Sequence, residues 1–208
     1  MEQVFFINPV AGKRDASAEL VPRIQAAARQ LQLPQPQIVV TQYAGQAREA
    51  AHRYAASGTP AALYACGGDG TLNELVQGAA GSANVAVGCV PCGSGNDYVR
   101  NFGAAGQAPF LDFAAQLQAQ PCRVDLLQTS LGIGIDICAA GLDAQVAYGI
   151  PKFRRLPGCG GTAAYTLSIL QAMLSRFGHK LRVAIDGKEY TGTYMMAAIC
   201  NGGYYGGG

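Results

Sequence analysis

The sequence has few charged residues and no long uninterrupted apolar run. Only 13% of its 208 residues are charged, about half the usual share of roughly 25%. The net charge of +2 is too small for the basic stripe of a nucleic-acid-binding protein, so we expect no nucleic-acid partner. The longest apolar stretch, residues 131–150, contains Asp136, Asp143 and several glycines, which excludes it as a membrane-spanning helix.

The chain also lacks the marks of a secreted or disulfide-linked protein. Met1-Glu2-Gln3 has neither a basic segment nor a cleavage site, which predicts a cytoplasmic location. The seven cysteines are an odd number, which favours reduced thiols over a disulfide framework. Cys89 and Cys92 form a C-x-x-C motif, but no second cysteine pair or nearby histidine completes a metal site. We interpret both as small buried or loop residues.

Hydrophobic residues and glycine are abundant instead. Half of the residues are hydrophobic, which excludes a disordered chain and provides for a sizeable core. The 28 glycines are close to twice the usual share of about 7%. They show no G-X-Y repeat, which excludes collagen, and they concentrate in three short loops and at the C-terminus.

Strand and helix patterns alternate over the first 90 residues. Such alternation predicts an α/β fold with a mainly parallel sheet that is covered on both faces. The predicted strands span residues 4–7, 38–41, 61–66 and 85–90, and the predicted helices span residues 17–33, 46–57 and 72–77.

After residue 121, strand patterns lie close together and helices become sparse. The predicted strands span residues 123–128, 133–140, 181–185 and 190–200, with a hairpin turn at Asp186-Gly187 and one helix over residues 161–177. Leu167, Leu170 and Leu174, with Tyr165, are interpreted as the core face of that helix. We predict two domains, an α/β domain over residues 1–122 and a β-rich domain over residues 123–208.

The first glycine loop follows the third predicted strand and reads Gly67-Gly68-Asp69-Gly70-Thr71. Glycines let the backbone approach a ligand closely, and the helix that follows directs its free N–H groups at an anion such as phosphate. Thr71 and Glu74 also match a capping box, and Gly78 is a candidate C-cap. Asp69 is poorly placed for packing, and beside phosphates it would have to bind Mg²⁺ or accept a proton.

Two further loops also follow predicted strands, one over residues 91–97 and one over residues 8–14. The loop over residues 91–97 contains Ser94, Asn96 and Asp97, but Tyr98 stands where a dinucleotide fingerprint has its third glycine. No Walker A sequence occurs, and the elbow of a serine nucleophile is not formed around Ser94. Ligands of open α/β sheets bind at the carboxyl ends of strands, so we expect the three loops to form one site.

In order, Asn8-Pro9 with Gly12, residues 67–74 and residues 91–97 resemble the catalytic domain of the diacylglycerol kinase family, which includes bacterial lipid kinases. The resemblance continues through Val124-Asp125, residues 140–144 and Asn201-Gly202. It implies an α/β domain related to phosphofructokinase and NAD kinase, a β-sandwich, bound Mg²⁺-ATP and phosphorylation of a lipid hydroxyl.

By position, the resemblance makes Asp69 and Asp97 the catalytic candidates and possible Mg²⁺ ligands. Ser94 stands where the family usually has threonine, which also presents a hydroxyl. The implied ATP-binding residues are Asn8, Pro9, Gly12, Thr41, Gly67, Gly68, Asp69, Gly70, Thr71, Asn73, Gly93, Ser94, Gly95 and Asn96.

Family members continue beyond the final glycines, and the later segment supplies a structural Mg²⁺ site, a general base and closing strands of the sandwich. We therefore expect a C-terminally truncated chain with an incomplete sandwich. The alternatives are an ATP-binding module or pseudokinase without transfer, and an NAD kinase, which shares only residues 67–71. Lys152, Arg154 and Arg155, taken as a loop, suggest peripheral membrane contact. The lipid acceptor, the general base and the oligomeric state, a homodimer included, stay open.

Overall fold

The computed structural model describes residues 1–103, 106–154, 156, 159, 161–175 and 178–206. Its chain divides into two compact units. Unit 1 consists of Met1–Asp136 together with Asn201–Gly208, and unit 2 consists of Ile137–Cys200. Compact units need not coincide with domains, so the domain boundary near residue 122 stays a prediction.

Unit 1 contains the parallel sheet that the sequence predicts. Its strands run in the order β2-β1-β3-β4, and every neighbouring pair is parallel. The strands are β1 (Glu2–Ile7), β2 (Gln37–Val40), β3 (Ala61–Gly67) and β4 (Val85–Pro91), and the helices are α1 (Ser17–Gln30), α2 (Gln46–Ser57), α3 (Asp69–Ala79), α4 (Asp97–Arg100) and α5 (Phe113–Gln118). A short antiparallel pair, β5 (Leu127–Thr129) and β6 (Gly132–Gly134), completes the unit.

Helices cover both faces of this sheet, because alternate strand residues point to opposite sides. Phe6 and Leu63 lie on one face among residues of α2 and α3, and Phe5 and Tyr64 lie on the other among residues of α1 and α5. The rings of Phe5 and Tyr64 stack with centroids 4.3 Å apart. Every residue of β3 is buried, as expected of a central strand with two covered faces.

Helix α3 differs from the predicted helix at both ends. It begins at Asp69 with Gly68 as N-cap and no side-chain cap, so the predicted capping box is wrong. Glu74 instead accepts a hydrogen bond from the Gly45 backbone N–H at 2.9 Å, at the start of α2. Gly78 is not a C-cap either, since it lies inside α3, where an added Cβ would overlap the Arg48 carbonyl of α2.

Unit 2 contains two small antiparallel sheets and two helices. β7 (Ile137–Gly141) pairs with β10 (Met196–Cys200), and β8 (His179–Ile185) pairs with β9 (Lys188–Tyr194). Asp186 and Gly187 have φ values of 49° and 76°, which confirms the predicted hairpin turn. The predicted strand over residues 190–200 is instead two strands that separate at Met195.

Other predictions after residue 121 need correction. Residues 121–126 have no regular structure, and the strand predicted over residues 133–140 breaks at Ile135-Asp136. Helix α6 (Leu142–Arg154) was not predicted, because Gly149 and Pro151 interrupt its helical pattern. Lys152 therefore lies on a helix rather than in a loop, while Arg155 lies outside the described residues.

The predicted core face of helix α7 (Gly161–Leu174) is wrong, because the residues assigned to it are exposed. Ala164, Ser168 and Ala172 are buried, and Ser168 donates its hydroxyl to the Val146 carbonyl of α6 at 2.6 Å. Small side chains thus mediate the contact with α6 and leave the large ones outside. The exposed residues are Tyr165, Leu167, Leu170 and Leu174. Among the described residues, none of the helices is both long and apolar enough to cross a bilayer.

Candidate functional site

The carboxyl ends of β1, β3 and β4 lie side by side at one edge of the sheet. Ile7 is in register with Cys66, and Gly67 is in register with Pro91. The loop after β1 is fastened to β3, because the Asn8 N–H donates to the Cys66 carbonyl at 2.9 Å. The three glycine loops therefore meet at this edge.

Two of the loops touch through glycine backbones. The N–H groups of Cys92 and Gly93 donate to the Gly67 carbonyl at 2.9 and 3.2 Å. An added Cβ on Gly93 would lie 2.8 Å from the Gly68 nitrogen, so a larger residue would push the loops apart. Gly12 brings in the third loop, since it has φ +73° and its Cβ would overlap the Cys92 carbonyl oxygen.

Asn8 and Thr71 connect the loop after β1 to the first turn of α3. The Asn8 side chain donates from Nδ2 to Thr71 Oγ1 at 3.0 Å and accepts the Val10 N–H at 3.1 Å. Thr71 is buried, with 6% of its surface exposed. Its hydroxyl therefore has a fixed donor, which leaves its own proton for a different acceptor.

Asp69 is held between α3 and α4. Its Oδ1 accepts the Tyr98 backbone N–H at 3.1 Å, and its Oδ2 would lie 3.3 Å from a Cβ on Gly95. Asp97, one residue before Tyr98, forms an ion pair with Arg100 at 3.5 Å. Asp97 is thus the first residue of α4, and Asp69, the first residue of α3, accepts a hydrogen bond from α4.

The remaining predicted residues support this edge or lie beside it. Asn96 is buried at φ 57° and forms two hydrogen bonds with the Gly93 backbone, which fixes the second loop. Thr41 donates from its N–H and its hydroxyl to the Ile7 carbonyl, at 2.8 and 3.3 Å.

The other predicted residues form fewer contacts. Gly70 and Ser94 are exposed. Asn73 lies on α3, and its Oδ1 is buried with no hydrogen-bond partner among the described residues.

Sequence reasoning missed Asp136, which it treated only as an interruption of an apolar run. Asp136 is buried, and this burial raises the pKa of its carboxyl above the usual range. A hydrogen bond from Asn101 opposes this rise of the pKa, whereas the negative charges of Asp69 and Asp97 add to it. A carboxylate within an otherwise apolar run was the signal that could have identified it.

The cysteines beside the site are not poised for thiolate chemistry. Burial raises the pKa of Cys89 to about 12 and that of Cys92 to about 11, so both thiols stay protonated at neutral pH. All seven cysteines are free. Across the described part of the chain, no group of three or more histidine, cysteine, aspartate or glutamate side chains could hold a metal ion.

Comparisons with known proteins show which family the chain resembles. Residues 2–129 match the family model described as "Diacylglycerol kinase catalytic domain", and residues 136–208 match "YegS C-terminal NAD kinase beta sandwich-like domain". A Chromohalobacter salexigens protein named "Probable lipid kinase YegS-like" is 30% identical over 71% of this chain and 48% of its own length. A Bacillus subtilis protein named "Diacylglycerol kinase" is 28% identical over 66% of this chain and 45% of its own length.

Solved structures share the fold. A diacylglycerol kinase from Bacillus anthracis superimposes with a TM-score of 0.65 at 23% identity, over 99% of this chain and 66% of that chain. The chain spans about half the length of the curated relatives it matches. The α/β fold with a four-stranded parallel sheet, followed by small antiparallel sheets, is confirmed. By its match over residues 2–129, the chain belongs to the diacylglycerol kinase catalytic domain family.

Proposed function

We propose that this chain belongs to an ATP-dependent lipid kinase, which transfers the γ-phosphate of ATP to a lipid hydroxyl such as that of diacylglycerol. Family membership supports this proposal, because the family consists of lipid kinases that use ATP. The observation that carries it is the meeting of three glycine loops at the carboxyl ends of β1, β3 and β4, around Asp69.

The first turn of α3 provides the anion-binding part of the proposed site. Its N-cap is Gly68, so the positive end of the helix dipole faces the edge where the loops meet. The Thr71 hydroxyl already accepts a hydrogen bond from Asn8 and can donate its proton to a phosphate oxygen. Close contact between Gly68 and Gly93 leaves bare backbone beside this turn.

Asp69 and Asp97 provide the negative charges that a phosphoryl-transfer site uses to hold a divalent cation. Mg²⁺ is ordinarily bound by one or two carboxylates together with phosphate oxygens, so no cage of protein ligands is required. When bound, Mg²⁺ neutralises charge that develops on the phosphates. The Tyr98 N–H orients Asp69 toward this task, and the Arg100 guanidinium limits the positions of Asp97.

In the transfer, the lipid hydroxyl gives up its proton to water or to a general base, and its oxygen bonds the γ-phosphorus. The bond between that phosphorus and the β,γ-bridging oxygen breaks, so that ADP leaves. Such chemistry depends mainly on positioning and charge neutralisation. Peripheral membrane contact through the exposed Lys152 of α6 stays a prediction.

Labelled ATP tests the proposal directly. The purified protein is incubated with ATP radiolabelled at the γ-phosphate, with Mg²⁺ and with micelles that contain diacylglycerol, ceramide, sphingosine or monoacylglycerol, and with NAD in a separate reaction. We expect label in one lipid and none in NAD. Nucleotide binding by calorimetry without transfer to any lipid would overturn the kinase proposal and assign a nucleotide-binding module. Absence of nucleotide binding would overturn both assignments.

Substitution of Asp69 by asparagine tests its place in the chemistry. Asp69→Asn keeps the acceptor for the Tyr98 N–H but removes the charge, so we expect transfer to fall at least about 100-fold and stability to change by less than about 1 kcal/mol. Asp186→Asn is the matched control, because asparagine suits the positive φ of that hairpin turn. Retained activity in Asp69→Asn would remove this carboxylate from the mechanism.

A further inference from the structure

Residues 201–203 follow β10, belong to unit 1 and bind the rest of that unit through backbone and side-chain groups. The N–H groups of Asn201 and Gly202 donate to the Asp136 carbonyl at 2.7 and 3.2 Å. The Asn201 side chain donates to the carbonyls of Asp125 and Ile135 at 2.8 and 2.9 Å. This segment is therefore anchored at several points.

Asn101 joins this segment to α4. Its Oδ1 accepts the Gly203 N–H at 2.7 Å, and its Nδ2 donates to the Tyr98 carbonyl at 3.0 Å and to Asp136 Oδ1 at 3.2 Å. Asn101 is also the C-cap of α4. One amide thus connects the helix, the buried carboxylate and the returning segment.

The space between these groups admits no side chain. An added Cβ on Gly202 would overlap Asp136 Oδ1 and lie 2.7 Å from Asn101 Nδ2. Glycine at this position lets the returning backbone reach both polar side chains. We name the set of Asn101, Asp136 and residues 201–203 the α4 brace.

We propose that the α4 brace positions Asp69 and Asp97, with Asp136 and Asn101 as positioning residues. Few bonds connect them. Asn101 donates a hydrogen bond to the Tyr98 carbonyl, and the Tyr98 N–H donates to Asp69 Oδ1. Asp97 is the residue before Tyr98. A helix of four residues has little stability of its own and depends on such contacts. This inference rests on the proposed function, because it assigns the brace to the geometry of that site.

Asp136 acts through Asn101 by accepting a hydrogen bond rather than by carrying charge. Burial, and then the negative charges of Asp69 and Asp97, raise the pKa of its carboxyl, so a negative charge at this position would oppose theirs. Asparagine keeps the acceptor oxygen without that charge. Asp136→Asn should therefore preserve the brace, and Asp136→Ala should break it.

The test compares Asp136→Ala, Asp136→Asn and Asn101→Ala by steady-state kinetics and by amide hydrogen exchange at Tyr98. We expect the two alanine variants to lower kcat about tenfold with KM for ATP within about twofold, because the glycine loops are untouched. Exchange at Tyr98 should become at least about fivefold faster in both. Asp136→Asn should restore kcat and exchange to near wild-type values.

Asn84→Ala is the matched control for Asn101→Ala. Asn84 precedes β4 at the other end of the sheet, and its Nδ2 donates to the carbonyls of Tyr54 and Thr59 at 2.9 Å. Its substitution removes two amide hydrogen bonds from the same unit, and we expect lower stability with unchanged kcat and Tyr98 exchange. If Asp136→Ala fails to fold, Asn101→Ala and Gly202→Ala carry the same comparison.

The two proposals fail in different ways. Absence of phosphoryl transfer by the wild-type protein overturns the proposed function, and Tyr98 exchange then still decides whether the brace holds the helix. Unchanged Tyr98 exchange in Asn101→Ala overturns the positioning role, whatever the activity. An Asp136→Asn variant as impaired as Asp136→Ala overturns the assignment of Asp136 as a hydrogen-bond acceptor whose charge is not needed.

Discussion

The two units bury their apolar residues to very different extents. In unit 1, the strands of the parallel sheet place phenylalanine, isoleucine and leucine side chains in full burial, and β3 has no exposed residue. Among the described residues of unit 2, few are buried and these are mostly small, such as Val146, Ala164 and Ala172, while Leu170 and Leu174 are 51% and 81% exposed. A large apolar residue in the sequence therefore indicates a buried position in unit 1 but not in unit 2.

This difference explains where sequence reasoning succeeds. The spacing of apolar residues predicts the buried face of a helix or strand only where those residues are in fact buried. β3 and the last four residues of β1 satisfy this condition on both faces. In α7, the buried positions are occupied by alanine and serine, so the leucines indicate the wrong face.

A matched pair of leucines gives the largest expected contrast. Leu63→Ala in β3 removes a fully buried side chain and should lower the free energy of unfolding by about 2 to 5 kcal/mol, because it leaves a cavity. Leu174→Ala in α7 removes an exposed side chain and should change this free energy by less than about 0.5 kcal/mol. Urea unfolding followed by circular dichroism measures both. Equal losses would contradict the contrast between the units.

Glycines at helix contacts give a smaller contrast. Gly78→Ala in α3 would press a methyl group against the backbone of α2, which cannot rotate away, so we expect a loss of about 1 to 3 kcal/mol. Gly149→Ala in α6 meets Ser168 alone, with an overlap at its hydroxyl oxygen and a distance of 3.3 Å to its Cβ, and should cost less than about 1 kcal/mol. Thermal unfolding compares the two variants. The double variant Gly149→Ala/Ser168→Ala is the control, and failure to regain stability there would place the strain elsewhere.

The pH dependence of stability at Asp136 is the smallest expected effect, and it is confined to unit 1. The pKa of this carboxyl is raised in the folded state, so its contribution to stability is fully present below the unfolded pKa of about 3.9 and is lost as pH rises. An asparagine side chain resembles the protonated carboxyl, so the Asp136→Asn variant should be at least as stable as wild type at pH 7. The difference should shrink as pH falls to about 4.

Urea unfolding of both proteins between about pH 3.5 and about pH 7.5 measures this dependence. Asp112→Asn is a control for a general effect of charge, since Asp112 caps α5 through the Ala115 N–H. A wild-type advantage over Asp136→Asn that grows from about pH 4 to about pH 7 would contradict the raised pKa.

The sequence was sufficient for the four strands of the parallel sheet, for α1, α2 and α3, and for the loops of the candidate site. The bounds of α2 agree with the prediction, and the loops after β1, β3 and β4 meet where parallel strands require. Local patterns could not reveal that Glu74 binds Gly45, because that partner lies 29 residues earlier in the chain. The brace around Asn101 was missed for the same reason, since its contact with Gly203 spans 102 residues.

The long separation between Asn101 and Gly203 also has a consequence for biosynthesis. The sheet and its three loops are complete once residue 97 has left the ribosome, but the brace requires residues 201–203, which are made only after all of unit 2. Domains generally fold as they emerge, and contacts between distant residues form late. A nascent chain can therefore hold a formed sheet whose α4 still lacks its final hydrogen bonds, because the contact between Asn101 and Gly203 forms among the last steps of folding.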